Sequence, residues 1–151
     1  MHDAVDRSSA DLLVAIAFID LNGFKAVNDC LGHEAGDDLL RRVATVLRSA
    51  LPPETFVGRF GGDEFVCVSW TSPSETRRDL VTMERTFDRV FHGITVEGAG
   101  VRVGAAVGIA VSRAGSTADS LINDADGAMY AAKATGRLFA VHVATMPDQV
   151  N

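Results

Sequence analysis

The chain has 151 residues, of which 47% are hydrophobic and 23% charged, a balance typical of one globular domain with an apolar core. Its formal net charge of -6 argues against a general nucleic-acid-binding protein or one that binds anionic membranes, because both need a basic surface. The charge does not exclude a nucleotide substrate, since a few cations at one site are enough to hold a triphosphate.

Neither the N-terminus nor the apolar segments predict export or a membrane anchor. The longest apolar run, residues 12–19, is too short to cross a bilayer. Residues 1–11 are polar and acidic, unlike a secretion signal. Cys30 and Cys67 lie in apolar surroundings without CxxC spacing, so we expect two core-filling thiols and neither a disulfide nor a zinc site. We therefore expect a cytoplasmic domain in a reducing compartment.

The first third of the chain predicts a strand and a helix. Residues 12–20 form a nearly continuous apolar run that ends in an acid, which is typical of a buried central strand, although periodicity alone leaves a helix open. Apolar residues recur at helical spacing over 36–51. The proline pair at Pro52 ends that helix.

A hairpin is predicted next, and it places two acids near each other. The β-rich segments 56–60 and 64–70 flank a glycine-containing turn, residues 61–63. If the first strand pairs with this hairpin, Asp20 and Asp63 meet at one edge of the sheet. Two carboxylates suit Mg²⁺, which prefers oxygen ligands, but a pair of solvated turn acids would look the same in sequence.

The second half of the chain predicts two more helices and two more strands. In order, they are a helix begun by a capping box over 72–75, a strand over 101–111 with a bulge or close backbone approach at Gly104 and Gly108, a helix capped by Ser116 and ended by Gly136, and a strand over 138–143. This order predicts one α+β domain over residues 1–151, with two layers and a central mixed or antiparallel five-stranded sheet flanked by helices.

Several short motifs resemble, in order and in spacing, those of the GGDEF family of diguanylate cyclases. They are Gly61-Gly62-Asp63-Glu64-Phe65, which spells the family name, DLNGFK at 20–25 with Asn28-Asp29, GHEAGD at 32–37, Arg59-Phe60, and DGAMYAAK at 126–133 followed by Gly136-Arg137. The agreement runs from about residue 13 to residue 143. The resemblance implies a fold like that of nucleotidyl cyclases and polymerase palms, and condensation of two GTP molecules into cyclic di-GMP and two pyrophosphates.

The resemblance also implies roles for individual residues. Asp20, Asp63 and the carbonyl of Leu21 would hold two Mg²⁺ or Mn²⁺ ions, which assist attack of a ribose 3′-hydroxyl on an α-phosphate. Asp63 and Glu64 would be catalytic, although by position alone Glu64 is equally a strand-edge acid facing water. The implied substrate-binding residues are Lys25, Lys133 and Arg137 for the triphosphate, Asn28 and Asp37 for guanine, and Gly61 and Gly62 for close backbone approach.

The bare residues leave simpler interpretations open for several of these positions. Lys133 and Arg137 lie four apart on one helix face and would otherwise be a solvated basic edge. Asp37 lies in the first turn of its helix, where an acid is favourable in any case. The two glycines of the pentapeptide also suit a tight turn.

Three features depart from the family pattern. Asn22 stands where the family has its second acid, so any charge that this position supplies is lost. Phe56 and Arg59 stand where an inhibitory RxxD motif is expected, so we expect no such product-inhibition site. The chain also begins too late to hold the segment that precedes the family's first strand, and we expect apolar surface to be uncovered as a result.

Three functions are compatible with these observations. A diguanylate cyclase needs two domains facing each other, since each active site holds one GTP, so a homodimer is expected together with a sensor domain outside this chain. Nucleic acid and membrane are not expected partners. The alternative is a catalytically silent module that binds GTP and regulates by contact. A different nucleotidyl cyclase or polymerase-like palm is disfavoured by the complete pentapeptide and the guanine-reading pair.

Overall fold

A computed structural model of the protein describes residues 12–94 and 102–144. The N-terminal segment 1–11, the predicted strand start at Val101 and the C-terminal tail lie outside the described residues. Within the described residues, no helix combines the length and the apolar character needed to span a membrane.

The described chain forms five strands and four helices. In order they are β1 (Leu13–Asn22), α1 (Phe24–Leu31), α2 (His33–Ala50), β2 (Phe56–Arg59), β3 (Glu64–Thr71), α3 (Thr76–His92), β4 (Gly104–Val111), α4 (Ala118–Lys133) and β5 (Phe139–Val143). The strands form one sheet in the order β2-β3-β1-β4-β5. All neighbours are antiparallel except β4 and β5, which are parallel. The predicted five-stranded mixed sheet flanked by helices is thereby confirmed.

Helices cover both faces of the sheet, which gives three layers rather than the predicted two, and β1 lies at the centre of the sheet. Alternate residues of β1 face opposite sides: Ala17 and Ile19 join a core formed with α2 and α3, whereas Ile16 and Phe18 join a core formed with α4. Because both faces are covered, the strand is apolar throughout its middle, as the predicted central strand requires.

The α4 helix lies unusually close to β4, and Gly108 makes that approach possible. A Cβ atom added to Gly108 would lie 2.0 Å from the Ala125 carbonyl oxygen and 2.2 Å from the Met129 nitrogen. The predicted close backbone approach at this glycine is therefore confirmed. It brings the C-terminal end of α4, with Lys133, to the carboxyl end of β1.

Several sequence predictions of helix ends are wrong. The α1 helix was not predicted at all, and α2 begins at His33 rather than at residue 36. The α3 helix begins at Thr76, because the Ser72 hydroxyl bonds the Glu75 carboxylate and caps no backbone N–H. The α4 cap is Thr117, whose hydroxyl accepts from the Ser120 N–H at 3.1 Å. The Ser116 hydroxyl instead accepts a hydrogen bond from the Arg113 N–H.

The two cysteines occupy opposite environments, and one of the two expectations about them is wrong. Cys67 on β3 is buried in the core, as predicted, but Cys30 on α1 is exposed. The apolar neighbours of Cys30 in sequence, such as Leu31, do not make it a core residue, because only Val27 of this short helix is buried. Both thiols are free.

Candidate active site

The carboxyl end of β1 brings four predicted site residues to one edge of the sheet. Asp20 pairs in register with Glu64, the first residue of β3. The next residue, Leu21, donates its backbone N–H to the carbonyl oxygen of Asp63 at 3.1 Å. The β1 strand extends to Asn22, two residues beyond the predicted end. Asp20 is therefore still within the strand, and it pairs with the residue that follows the hairpin turn.

Lys133 reaches Asp20 from the end of α4. Its ammonium nitrogen donates a hydrogen bond of 2.6 Å to Asp20 Oδ2. The Asp20 side chain is only 10% exposed, whereas that of Lys133 is 51% exposed. A mostly buried carboxylate is costly without a partner, and the lysine supplies one. The same hydrogen bond is the main cause that raises the pKa of Lys133, so this side chain stays cationic at neutral pH.

The pKa values of two acids beside Asp20, Asp63 and Glu64, are both raised. Burial, followed by repulsion from Asp20, raises the pKa of Asp63 above its usual value. Burial and then the charges of Asp20, Asp63 and Asp126 raise the pKa of Glu64. Since both shifts disfavour the ionised form, the charged site costs folding stability at neutral pH, and a bound cation would offset that cost.

The hairpin turn is held by Arg59, a residue whose structural role the sequence did not reveal. Its Nε donates to the carbonyl oxygens of Gly61, at 3.0 Å, and Gly62, at 3.1 Å. Neither glycine has a positive φ, so the turn itself does not demand glycine. A Cβ at Gly61 would lie 2.6 Å from Glu64 Oε2, so a larger residue there would push this flexible carboxylate aside. Gly62 has open space around it.

A groove of about 550 Å³ opens beside this edge and is large enough for a nucleotide. Leu21, Lys25, Asp63 and Lys133 are among its lining residues, and so is Asn22. The structure thus brings together the predicted metal-binding residues and two of the three predicted triphosphate ligands. The remaining predicted site residues do not line the groove themselves; they are Asp20, which bonds the lining residue Lys133, and Asn28, Asp37, Gly61, Gly62, Glu64 and Arg137.

Asn28 and Asp37 lie together at the contact between α1 and α2. The Asn28 side chain packs against Gly36, where an added Cβ would clash with Asn28 Oδ1. That oxygen is buried and has no hydrogen-bond partner among the described residues. Asp37 follows Gly36 directly and is exposed. A buried acceptor without a donor is uncommon in folded proteins, and a ligand could bond this oxygen once the Asn28 side chain turns away from Gly36.

Arg137 lies in the loop that follows α4. The helix ends at Lys133, and Gly136 turns the chain with a φ of 69°. Arg137 is exposed and makes no hydrogen bond or ion pair with the described residues. The predicted pair with Lys133 on one helix face is wrong, because the helix ends before Arg137 is reached.

The donor set at this edge fits a hard divalent cation. Two carboxylates and a backbone carbonyl are oxygen ligands of the kind that Mg²⁺ binds while it keeps waters or phosphates in its remaining positions. In the described chain, no three His, Cys, Asp or Glu side chains cluster tightly enough to form a complete protein site. The Lys133 ammonium already lies against Asp20, so a positive charge is accommodated there.

Comparison with known proteins identifies one family over most of the chain. The family described as "Diguanylate cyclase, GGDEF domain" matches residues 2–138. The crystal structure of the GGDEF domain of DgcB from Caulobacter crescentus, in complex with cyclic di-GMP, superposes with a TM-score of 0.74 and 28% identity, covering 88% of this chain and 78% of that one.

Two curated relatives have related names but different activities. The bifunctional diguanylate cyclase/cyclic di-GMP phosphodiesterase MucR of Pseudomonas aeruginosa is 39% identical over 129 residues, which is 84% of this chain and 18% of MucR. The cyclic di-GMP phosphodiesterase PdeR of Escherichia coli is 33% identical over 141 residues, or 91% of this chain and 21% of PdeR. The chain thus spans about a fifth of the length of these two relatives.

Proposed function

This chain belongs to the GGDEF family of diguanylate cyclase domains, and on that premise we propose that it condenses two GTP molecules into cyclic di-GMP and two pyrophosphates. The observation that carries the proposal is the cluster of Asp20, Asp63 and Lys133 at one sheet edge, beside a groove that suits a nucleotide. Because its substrate is GTP, we propose that the domain works in the cytoplasm.

The triphosphate would lie along the cationic side of the groove. Lys25 and Lys133 both line it, and Arg137 lies in the loop that follows. Lys133 donates a hydrogen bond to Asp20, and a phosphate oxygen would share its three N–H donors with that carboxylate. Arg137 is free to make a bidentate contact with a phosphate.

Asp20, Asp63 and the carbonyl of Leu21 would hold two Mg²⁺ or Mn²⁺ ions. When bound, such ions stabilise the attacking 3′ oxygen and the leaving pyrophosphate. Glu64, which faces Asp20 across the strand pair, would accept the proton of the 3′-hydroxyl, and its raised pKa makes it a better base than an ordinary carboxylate. Arg59 would keep Gly61 and Gly62 in place while Gly62 admits the nucleotide.

Asn28 and Asp37 would read the guanine. The guanine edge presents N1–H and N2–H₂ donors, which match the unpartnered Asn28 Oδ1 and the exposed Asp37 carboxylate. Adenine presents a different pattern at that edge, so these two residues would favour GTP over ATP. Each site would hold one GTP, and two copies of the chain facing each other would therefore be needed for the double condensation.

A catalytically silent regulatory module is the second candidate. PdeR, whose printed activity is that of a phosphodiesterase, is similar to this chain over 91% of its residues. Asn22, which lacks the charge that the family usually has there, also favours this alternative. The cluster of Asp20, Asp63 and Glu64 favours the cyclase, because a binding module needs no repulsive group of acids.

The proposal is tested by identifying the product directly. The purified chain, at several high concentrations, would be incubated with Mg²⁺ and either GTP or ATP, and the products separated by mass-resolved chromatography. We expect cyclic di-GMP from GTP alone, formed at a rate that rises faster than linearly with protein concentration. The variant Asp20→Asn should form none, and its melting curve would show that it is folded.

GTP binding without any product, even at the highest protein concentration, would contradict the cyclase and support the silent module. A product from ATP at a similar rate would contradict the proposed guanine reading. A rate strictly proportional to protein concentration would contradict the need for two copies.

A further inference from the structure

We infer that Asn22 is a positioning residue, which holds the loop of Arg137 in place for the triphosphate. The inference rests on the proposed function, since it assigns a residue to the same site. Asn22 is the last residue of β1 and lines the groove. Its side-chain Nδ2 donates a hydrogen bond of 3.3 Å to the backbone carbonyl oxygen of Leu138, which directly follows Arg137.

The Leu138 carbonyl is the point where three parts of the fold meet. It also accepts the backbone N–H of Ala105 at 3.0 Å. A Cβ on Gly104 would lie 1.6 Å from the same oxygen, so the loop presses directly on the start of β4. Asn22 and Gly104 are register partners on β1 and β4. A carbonyl oxygen has two lone pairs, so it can accept from both Asn22 and Ala105.

Only a side chain with an N–H or O–H can make this contact. An aspartate is nearly identical in shape to asparagine but is acceptor-only when ionised. An Asp at position 22 would direct a negative oxygen at the Leu138 carbonyl and repel it. Asparagine in place of the family's acid at position 22 therefore removes a negative charge and supplies a hydrogen-bond donor.

The two cations at the end of α4 are held in different ways. Lys133 is fixed by its hydrogen bond to Asp20. Arg137 has no side-chain partner among the described residues, and it lies beyond the end of the helix. The hydrogen bonds that the Leu138 carbonyl accepts from Asn22 and Ala105 fix the position of the Arg137 backbone. Asn22 thus acts on the triphosphate through Arg137 and not by touching it.

The test is a double-mutant cycle on Asn22→Asp and Arg137→Ala. The affinity for a non-hydrolysable GTP analogue with Mg²⁺ would be measured by calorimetry for the wild type, both single variants and the double variant. We expect Asn22→Asp to weaken binding about two- to tenfold, which is the usual net value of one hydrogen bond. In the Arg137→Ala background, the same substitution should change the affinity by less than about twofold.

A direct charge effect gives a different pattern. If the new carboxylate simply repels the triphosphate or adds a metal ligand, its effect persists in the Arg137→Ala background and overturns the inference. An unchanged or tighter affinity for Asn22→Asp alone also overturns it. The variant Asn22→Ala, which adds no charge, should show the same dependence on Arg137 as Asn22→Asp.

Hydrogen exchange separates failure of this inference from failure of the proposed function. The amides of residues 136–139 should exchange faster in Asn22→Asp and Asn22→Ala than in the wild type, with no ligand present. Equal exchange in all three proteins overturns the positioning role whatever the activity. A wild-type chain that binds no GTP analogue contradicts the proposed function, while faster exchange in the variants would still show that Asn22 holds the loop.

Discussion

The middle and the carboxyl end of β1 follow different rules. From Val14 to Ile19 every side chain is apolar and buried, and each face packs on its own helix layer. From Asp20 onward the strand is surrounded by charges and turns that come from distant parts of the sequence. Burial and pairing with β3 and β4 stabilise the middle of the strand, whereas the end also depends on partners supplied by α4, the hairpin turn and the loop at Leu138.

Within this one strand, the middle stabilises the fold, whereas the carboxyl end carries the candidate active site at a cost in stability. The middle gains free energy from every side chain removed from water. At the end, the raised pKa values of Asp63 and Glu64 mean that the ionised acids oppose folding. Such a site persists because the adjoining sheet is stable enough to hold it.

The close packing of the middle can be broken at Gly108, which pairs in register with Phe18. An alanine there would force its Cβ into the backbone of α4, so we expect Gly108→Ala to lower the free energy of unfolding by about 1–3 kcal/mol. Denaturant unfolding measures this loss. An unchanged stability would contradict the close approach of α4 to β4.

Gly127 offers the matched control on the outer face of the same helix. An added Cβ there meets nothing within 4 Å, and helix interiors favour alanine over glycine. Gly127→Ala should therefore raise the free energy of unfolding by about 0.5–1 kcal/mol. If both glycine variants lost stability equally, a general sensitivity of α4 would explain the result better than packing at Gly108.

The two cysteines sharpen the comparison, because Cys67 pairs with Ala17 in the middle of β1 and Cys30 lies exposed on α1. A thiol reagent at pH 8 should modify one thiol in the folded protein and two after denaturation. The variant Cys30→Ser should leave none reactive while folded. Fast modification of both thiols would contradict the burial of the sheet's middle.

The burial of Cys67 also predicts how folding stability changes at alkaline pH. The effect is negligible near neutral pH and grows as the pH rises. Burial raises the pKa of Cys67 from 9.0 to about 12. Between these values the unfolded thiol ionises while the folded one does not, so stability falls as pH rises, by about 1.4 kcal/mol per pH unit. Cys67→Ala should show a correspondingly shallower alkaline decline in unfolding experiments.

The sequence predicted the structure correctly where the local residue types decide it. The apolar run of β1, the hairpin around residues 61–63 and the glycine contact at Gly108 were all predicted correctly. The pairing of Asp20 with Glu64 follows from the register once the strands are known to be neighbours.

Contacts between distant segments were beyond the sequence patterns. Helix α1 has only eight residues between Gly23 and Gly32, too few for its apolar spacing to distinguish a helix from other structures in the sequence alone. The exposure of Cys30 depends on which face of that helix meets the core. The hydrogen bonds from Arg59 to the glycine carbonyls and from Asn22 to Leu138 join side chains to backbone oxygens. Every residue has a backbone oxygen, so the residue types do not predict such contacts.

The most direct test of the site is the variant Asp63→Asn, studied for activity and stability together. The amide keeps the shape and removes a charge that opposes folding, since burial and Asp20 raise the pKa of Asp63. We expect cyclic di-GMP formation to fall at least about a hundredfold, with an unfolding free energy that is unchanged or slightly higher. Asp124→Asn, on the exposed surface of α4, should change neither. Product formation near the wild-type level, or loss of activity only through loss of folding, would contradict an active site at the carboxyl end of β1.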